Sequence, residues 1–390
     1  MKIKYLLPVL FLVIASCSKE DERPMLVISE IDPTSGYKNT ILKITGNDFS
    51  TNPSQNIVTL NGMSCPVNTS TSTELFINIP AKAGSGKLKI RVNGREGETP
   101  RFKYLYSTIT MTTLAGSTAG DDDKFTQPFG VAIDRLGNMY VSDQGNHKIK
   151  KITPSGIVST LAGDVEGDDQ NFKTPWGVAV DKFGNVYVSD AGNHKVKKIS
   201  LNGRVQTIAG STQGDGDKFN VPTGIALDDH GNIYIADFGN NKVKKITASG
   251  TITTIAGSMH GNGEKFNRPM GMAIDGEGNI YVTDYLNHKI KKINPAGLVT
   301  TLAGNIQGDG INFNGPAGLA IDKDGNLNVA DVANNKIKKV TPGGVVTTLA
   351  GNIEGDGINF RGPTGVATDE NANVFVTDFG NHKLKKIDQE

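Results

Sequence analysis

Residues Gly177-Val178-Ala179-Val180-Asp181, Gly184-Asn185-Val186-Tyr187-Val188-Ser189-Asp190 and Asn193-His194-Lys195-Val196 follow one another with only short turns between them. Their apolar runs are short, β-branched and bounded by Gly, Asn and Asp, which marks strands and not helices. The succession returns with a fixed period. An apolar-Ala-Gly motif starts at Leu114, Leu161, Ile208, Ile255, Leu302 and Leu349, each 47 residues after the last. Every interval carries a Gly/Asp-rich loop, a Phe, a Pro, a Gly two residues after the Pro, and three strand-like runs. A fourth run, Ile157 to Ala162 in the first copy, completes the unit. Four strands in a repeat of this length make a propeller blade. The repeat region opens with a lone fourth strand, Ile109 to Ala115, and closes after three strands, at Ile387. The first strand is therefore expected to complete the last blade, sealing the ring and removing a free sheet edge. The expectation is an all-β chain whose residues 107–390 form a closed six-bladed β-propeller.

Composition agrees. A chain of 390 residues with 37% hydrophobic side chains can bury a core, which argues against disorder. Lys plus Arg (41) nearly cancel Asp plus Glu (40), so no overall field draws the protein to nucleic acid. Two cysteines make neither a disulfide framework nor a paired zinc motif. All but seven of the 47 glycines fall after residue 107, so the glycine excess belongs to the repeats.

Lys2 and Lys4 precede an apolar run from Tyr5 to Ala15 that has the form of an export signal and is too short to span a bilayer. It ends Ile14-Ala15-Ser16-Cys17, which resembles the lipobox of bacterial lipoproteins; a plain secretory signal is the alternative. The resemblance implies a signal peptide over 1–16 and lipidation of Cys17. The acidic tether 17–23, with Ser18-Lys19-Glu20-Asp21-Glu22, is similar to the signal that carries some lipoproteins to the outer face of the outer membrane, or is a solvated spacer. The implied location is the outer membrane, lipid-anchored and exposed on the cell surface.

Residues 24–106 alternate in strands such as Ile41-Leu42-Lys43-Ile44, Ile57-Val58-Thr59-Leu60 and Leu88-Lys89-Ile90-Arg91-Val92, the pattern of a small β-sandwich. The segment resembles the IPT/TIG immunoglobulin-like family through Ile31-Asp32-Pro33-Thr34-Ser35-Gly36, Ile44-Thr45-Gly46-Asn47-Asp48-Phe49, Ile77-Asn78-Ile79-Pro80 and Phe102-Lys103-Tyr104. That resemblance implies a spacer or binding module. Cys65 reads as a small buried hydrophobe. The blades resemble the NHL repeat, with Ala372 in place of a Gly and Asn241 and Asn335 in place of His as departures. The resemblance admits binding propellers and, among six-bladed relatives, lyases and hydrolases, so fold alone does not choose.

A residue found in every blade is needed six times, as a scaffold is and an active site is not. Asp143, Asp190, Asp237, Asp284, Asp331 and Asp378 are expected to accept backbone N–H bonds. His147, His194, His288 and His382 sit one to a blade, and Asn replaces them twice, which fits hydrogen bonding better than metal ligation. Asp322-Lys323-Asp324-Gly325-Asn326 resembles the start of a calcium loop, but its twelfth position is Ala333. Lysines triplicated on the third strands account for 18 of the basic residues, a girdle open to polyanions; their stems are expected to cover apolar surface with the ammonium groups in water.

Function is sought where the symmetry breaks. The residue before each inner-strand Gly varies (Phe129, Trp176, Thr223, Met270, Ala317, Thr364), as does the residue after each loop Asp (Gln144, Ala191, Phe238, Tyr285, Val332, Phe379). Both sets should ring one mouth of the channel. Packing of large against small accounts for Trp176 with Ala191, and for Thr223 and Thr364 with Phe238 and Phe379. Met270 with Tyr285 and Ala317 with Val332 break that rule. The candidate ligand-binding residues are Phe129, Trp176, Met270, Tyr285, Phe238 and Phe379, with no catalytic residue, metal ligand or cofactor assigned. The expected function is non-catalytic recognition of an extracellular glycan or surface protein. The alternatives are a lyase or hydrolase with a divalent cation in the channel, although the inner strands look apolar, and a structural spacer. The membrane is a partner through Cys17, and nucleic acid is not.

Overall fold

The structure is a computed structural model describing residues 25–81, 83–105, 109–116, 124–163, 171–210, 218–257, 265–304, 313–351 and 359–389. The expected signal peptide, Cys17 and the expected tether lie outside the described residues, as does most of the Gly/Asp-rich loop of every blade. The chain divides into two compact units.

The first is a sandwich. One sheet orders the strands Ile28–Asp32, Ile41–Gly46, Glu74–Asn78 and Val67–Ser70. The other orders Ser35–Gly36, Arg95–Tyr104, Gly86–Val92, Asn56–Leu60 and Met63–Ser64. The period-two pattern sends Leu42, Ile44, Leu75 and Ile77 from one sheet, and Val58, Leu60, Leu88 and Ile90 from the other, into the buried core. Cys65 is buried, as expected, and burial pushes its thiol up to about 11, against a smaller opposing effect of a hydrogen bond with the Leu60 backbone.

The second unit holds six four-stranded antiparallel sheets. Blade 1 runs Pro128–Ile133, Met139–Asp143, Lys148–Ile152 and Val158–Ala162 from axis to rim. Blades 2 to 5 repeat it. Blade 6 takes Pro363–Thr368, Val374–Asp378 and Lys383–Gln389 from the end of the chain and adds Ile109–Ala115 as its outer strand, with Met111 opposite Ile387. The inner strand of blade 6 packs on that of blade 1, so the ring is closed. The inner-strand Gly is there for close approach of backbones: a Cβ on Gly130 would stand 2.3 Å from the Trp176 carbonyl oxygen, and one on Gly365 would stand 2.4 Å from that of Phe129.

The middle lysine of each third strand corrects the expectation of a wet girdle. Lys197 and Asp190 are both wholly buried and 2.9 Å apart; the six blades repeat the pair at 2.6 to 3.3 Å. Each lysine ammonium also stands 4.7 to 5.1 Å from the ring centre of the repeated Phe. Lys197 donates to the Asn171 carbonyl as well. Asp190 accepts the Lys173 N–H at 2.7 Å on one oxygen and Asn193 Nδ2 at 2.8 Å on the other. A charge pair survives burial only when its remaining hydrogen-bonding capacity is filled, and here it is filled. The expected backbone acceptance by the Asp is thus met, and the repeated Phe, Asp, Asn and Lys form one cluster that fixes the loops at the mouth. The first and third lysines of each triplet are partly buried.

Candidate functional site

After each buried Asp the chain makes one 3-10 turn and ends it in a left-handed residue, for instance Gln144–Asn146 capped by His147 at φ 60°. The side chain of that cap reaches the next blade. Nδ1 of His147, His194, His288 and His382 accepts the N–H of Thr174, Val221, Gly315 and Gln127 at 3.0 to 3.1 Å. Oδ1 of Asn241 and Asn335 accepts from Arg268 and Gly362 at 2.8 Å. Imidazole and carboxamide interchange because the position needs an acceptor. A neutral ring accepting at Nδ1 carries its proton on Nε2. The residues so latched all have positive φ, and Thr174 (47°) and Val221 (53°) are β-branched residues in a region that disfavours them.

Inside this ring of latches the candidate residues meet. Phe129 and Trp176 stack with centres 4.6 Å apart and planes 15° apart. Phe379 sets its edge against Phe129 at 6.2 Å, and Phe238 does the same against Trp176 at 5.7 Å. The Arg268 guanidinium lies 5.3 Å from the Phe238 ring centre. Four aromatic side chains from blades 6, 1, 2 and 3 therefore form one continuous run. Trp176 Nε1 and Gln144 Oε1 are buried with no partner among the described residues.

The channel beneath is narrow and apolar. A cavity of about 80 Å³ is lined by Phe129, Trp176, Thr223, Met270 and Thr364 at its rim and by Val131, Ile225 and Met272 deeper in. Its lining holds no carboxylate, imidazole or carboxamide and does not fit a divalent cation. No group of three or more His, Cys, Asp or Glu positioned to hold a metal occurs among the described residues. Two roomier hollows, of about 620 and 560 Å³, lie at the hairpins joining first and second strands, at the opposite end of the inner strands. Asp134 lines both, but its carboxylate is already engaged by Asn138, Tyr140 and the Leu136 amide.

A model of the virginiamycin B lyase family matches residues 119–390. This chain belongs to that family. The IPT/TIG domain model matches residues 26–106. No curated protein matches. Among solved structures, the chain is similar to a protein of unknown function from Bacteroides thetaiotaomicron, at 19% identity and TM-score 0.65 over 95% of this chain and 99% of that one. It is similar to an auxiliary nutrient binding protein from the same organism, at 18% identity and TM-score 0.58 over 94% and 98%. It is also similar to a catalytically inactive histidine-to-alanine variant of virginiamycin B lyase from Staphylococcus aureus with quinupristin, at 14% identity and TM-score 0.50 over 90% and 99%. At such identities the likeness is one of fold. The blades that resemble NHL repeats in sequence thus carry the pattern of the virginiamycin B lyase family.

In this virginiamycin B lyase family member the candidates are not all brought together. Met270 is buried at the channel rim. Tyr285 stands apart from the four-ring run, over Gly315, where a Cβ would come within 2.9 Å of its ring. The Gly315 that replaces Arg268, Val221 and Thr174 was a sign of this in the sequence. Nor is Thr223 merely small: its hydroxyl lies 3.1 Å from the carbonyl oxygens of Ala236, Pro269 and Met270. Thr364 donates to Phe129 O at 3.0 Å, so both threonines tie blades together. Sequence reasoning missed the buried Lys–Asp pairs, although the constant seven-residue spacing from Asp190 to Lys197 recurs in every blade.

Proposed function

We propose that this chain is a cell-surface lipoprotein, anchored through Cys17 in the outer membrane, whose propeller is a non-catalytic recognition module for an extracellular glycan or surface protein. The observation that carries this reading is the run Phe379, Phe129, Trp176 and Phe238 at the mouth. Aromatic side chains gathered at a channel mouth suit sugars and protein side chains alike. The name of the auxiliary nutrient binding protein points the same way. The histidines latched through Nδ1 hold the ring together, which leaves the role of general base unfilled among the described mouth residues.

Family membership favours a second reading, lyase activity. The two separate in one set of experiments. Purified protein is screened against glycans and surface proteins with the wild type and a Trp176→Ala, Phe129→Ala variant of confirmed fold, and quinupristin is incubated with both and followed by mass spectrometry. A ligand lost in the variant supports the recognition site. A ligand held equally well by the variant removes it, and turnover of quinupristin overturns the non-catalytic reading.

A further inference from the structure

We infer that Asn328 marks an internal site for ordered water in the seam between blades 5 and 6. Blades 1 to 4 place Tyr140, Tyr187, Tyr234 and Tyr281 at the same register of the second strand. Their hydroxyls donate to Asp134, Asp181, Asp228 and Asp275 at 3.0 to 3.2 Å. Tyr140 packs with Val178, Val186 and Val188 of the following blade, and Tyr281 with Leu319 and Leu327 of the following one, so the rings fill those seams. Blade 5 has Asn328 instead, opposite Ala320 and Lys339. Its side chain is 0% exposed, and neither Nδ2 nor Oδ1 has a partner among the described residues.

The neighbours change in the same direction. Lys151, Lys198, Lys245 and Lys292 stand over the tyrosine rings at 5.3 to 5.8 Å, whereas Lys339 pairs with Asp322 at 3.1 Å. Asn326 Nδ2 donates to the same carboxylate at 3.0 Å. The inner strand of blade 6 ends in Thr368, where the others end in Ile, Val or Leu, and its hydroxyl donates to Ile321 O at 2.8 Å. The core cluster joining blades 5 and 6 includes no side chain at the tyrosine register. A buried carboxamide with both ends unpaired is costly, and buried polar groups find either protein or water. A carboxamide in the space of a phenol leaves room, and a polar wall offers the partners a buried water requires. The ligand that fits is therefore water, bonded to both ends of the Asn328 amide.

Two measurements on the full chain decide the matter. A crystal structure fine enough to place waters should show at least one enclosed water in hydrogen-bond contact with Asn328 and none at the tyrosine register of blades 1 to 4. The inference is overturned if the Asn328 amide has no water, or is bonded at both ends to protein. In solution, Asn328→Tyr should refill the seam, reach Asp322 with its hydroxyl and raise Tm by a few degrees. A fall in Tm would mean that the seam has already closed up, with no room for water.

Discussion

Blade 2 and blade 5 hang from the same anchor and show different surfaces. Each buries a Lys–Asp pair at 2.9 Å beneath a repeated Phe, Lys197 with Asp190 and Lys338 with Asp331. At the mouth, blade 2 carries Thr174, Trp176 and Ala191 where blade 5 carries Gly315, Ala317 and Val332; at the seam, Tyr187 stands against Asn328. The contrast teaches that the loop backbone is fixed from below, by a cluster that never reaches the mouth, so the residues on display are free to change.

The sharpest way to break the comparison is to cut both anchors. Lys197→Ala and Lys338→Ala each strand a buried carboxylate and should each cost about 3–5 kcal/mol in urea unfolding. Equal losses uphold a shared anchor, and a loss confined to one blade refutes it. Next comes the display. Trp176→Ala removes the stack on Phe129 and the edge contact of Phe238, and should cost about 2 kcal/mol because the ring is only partly buried. Ala317→Gly, its counterpart in blade 5, removes one methyl and should cost about 1 kcal/mol or less.

The seam offers a pH test. Burial, and then the partner carboxylate, push Tyr140, Tyr234 and Tyr281 up to about 12. The folded state favours the neutral phenol, so this stabilisation is full below the ordinary phenol value of about 10 and is lost as pH rises toward 12. Burial pushes Asp134, Asp228 and Asp275 up, but hydrogen bonds from Asn, Tyr and backbone N–H groups outweigh it and hold them below the ordinary carboxyl value. Their contribution is present above the usual carboxyl range and is lost as pH falls through the folded value. Ultraviolet titration of tyrosinate together with Tm against pH reads both arms, and an ordinary phenol midpoint for all the tyrosines would contradict the seam bonds. The latches separate a conservative change from a disruptive one. His147→Asn should change stability by no more than about 0.5 kcal/mol, since blades 3 and 5 use Asn, whereas His147→Ala orphans the Thr174 N–H and should cost about 1 kcal/mol.

The blade count, the strand order and the closing strand were legible because strand patterning is local and a repeat shows it six times. The shared mouth was legible too, since Phe129 and Trp176 precede the inner glycines and Phe238 and Phe379 follow the loop Asp. What the sequence hid was depth. A Lys-Xaa-Lys-Lys run looks like a solvated edge, and only the three-dimensional fold puts Lys197 between Asp190 and Phe172. Nor does one-dimensional order tell which rings touch: Trp176 sits between Phe129 of the preceding blade and Phe238 of the following one, while Tyr285 turns to Gly315.

The strand Ile109–Ala115 pairs with the last strand of the chain, Ile109 opposite Gln389. Measured along the chain, this is the longest wait among the paired strands of the described residues. The first strand of the propeller emerges and stays without its partner until Lys383–Gln389 has been made, so the ring closes only with the third strand of the sixth blade, and its loop entropy is set by the whole ring. A polypeptide stopped short anywhere in the sixth blade would carry an unpaired edge at its beginning as well as at its end.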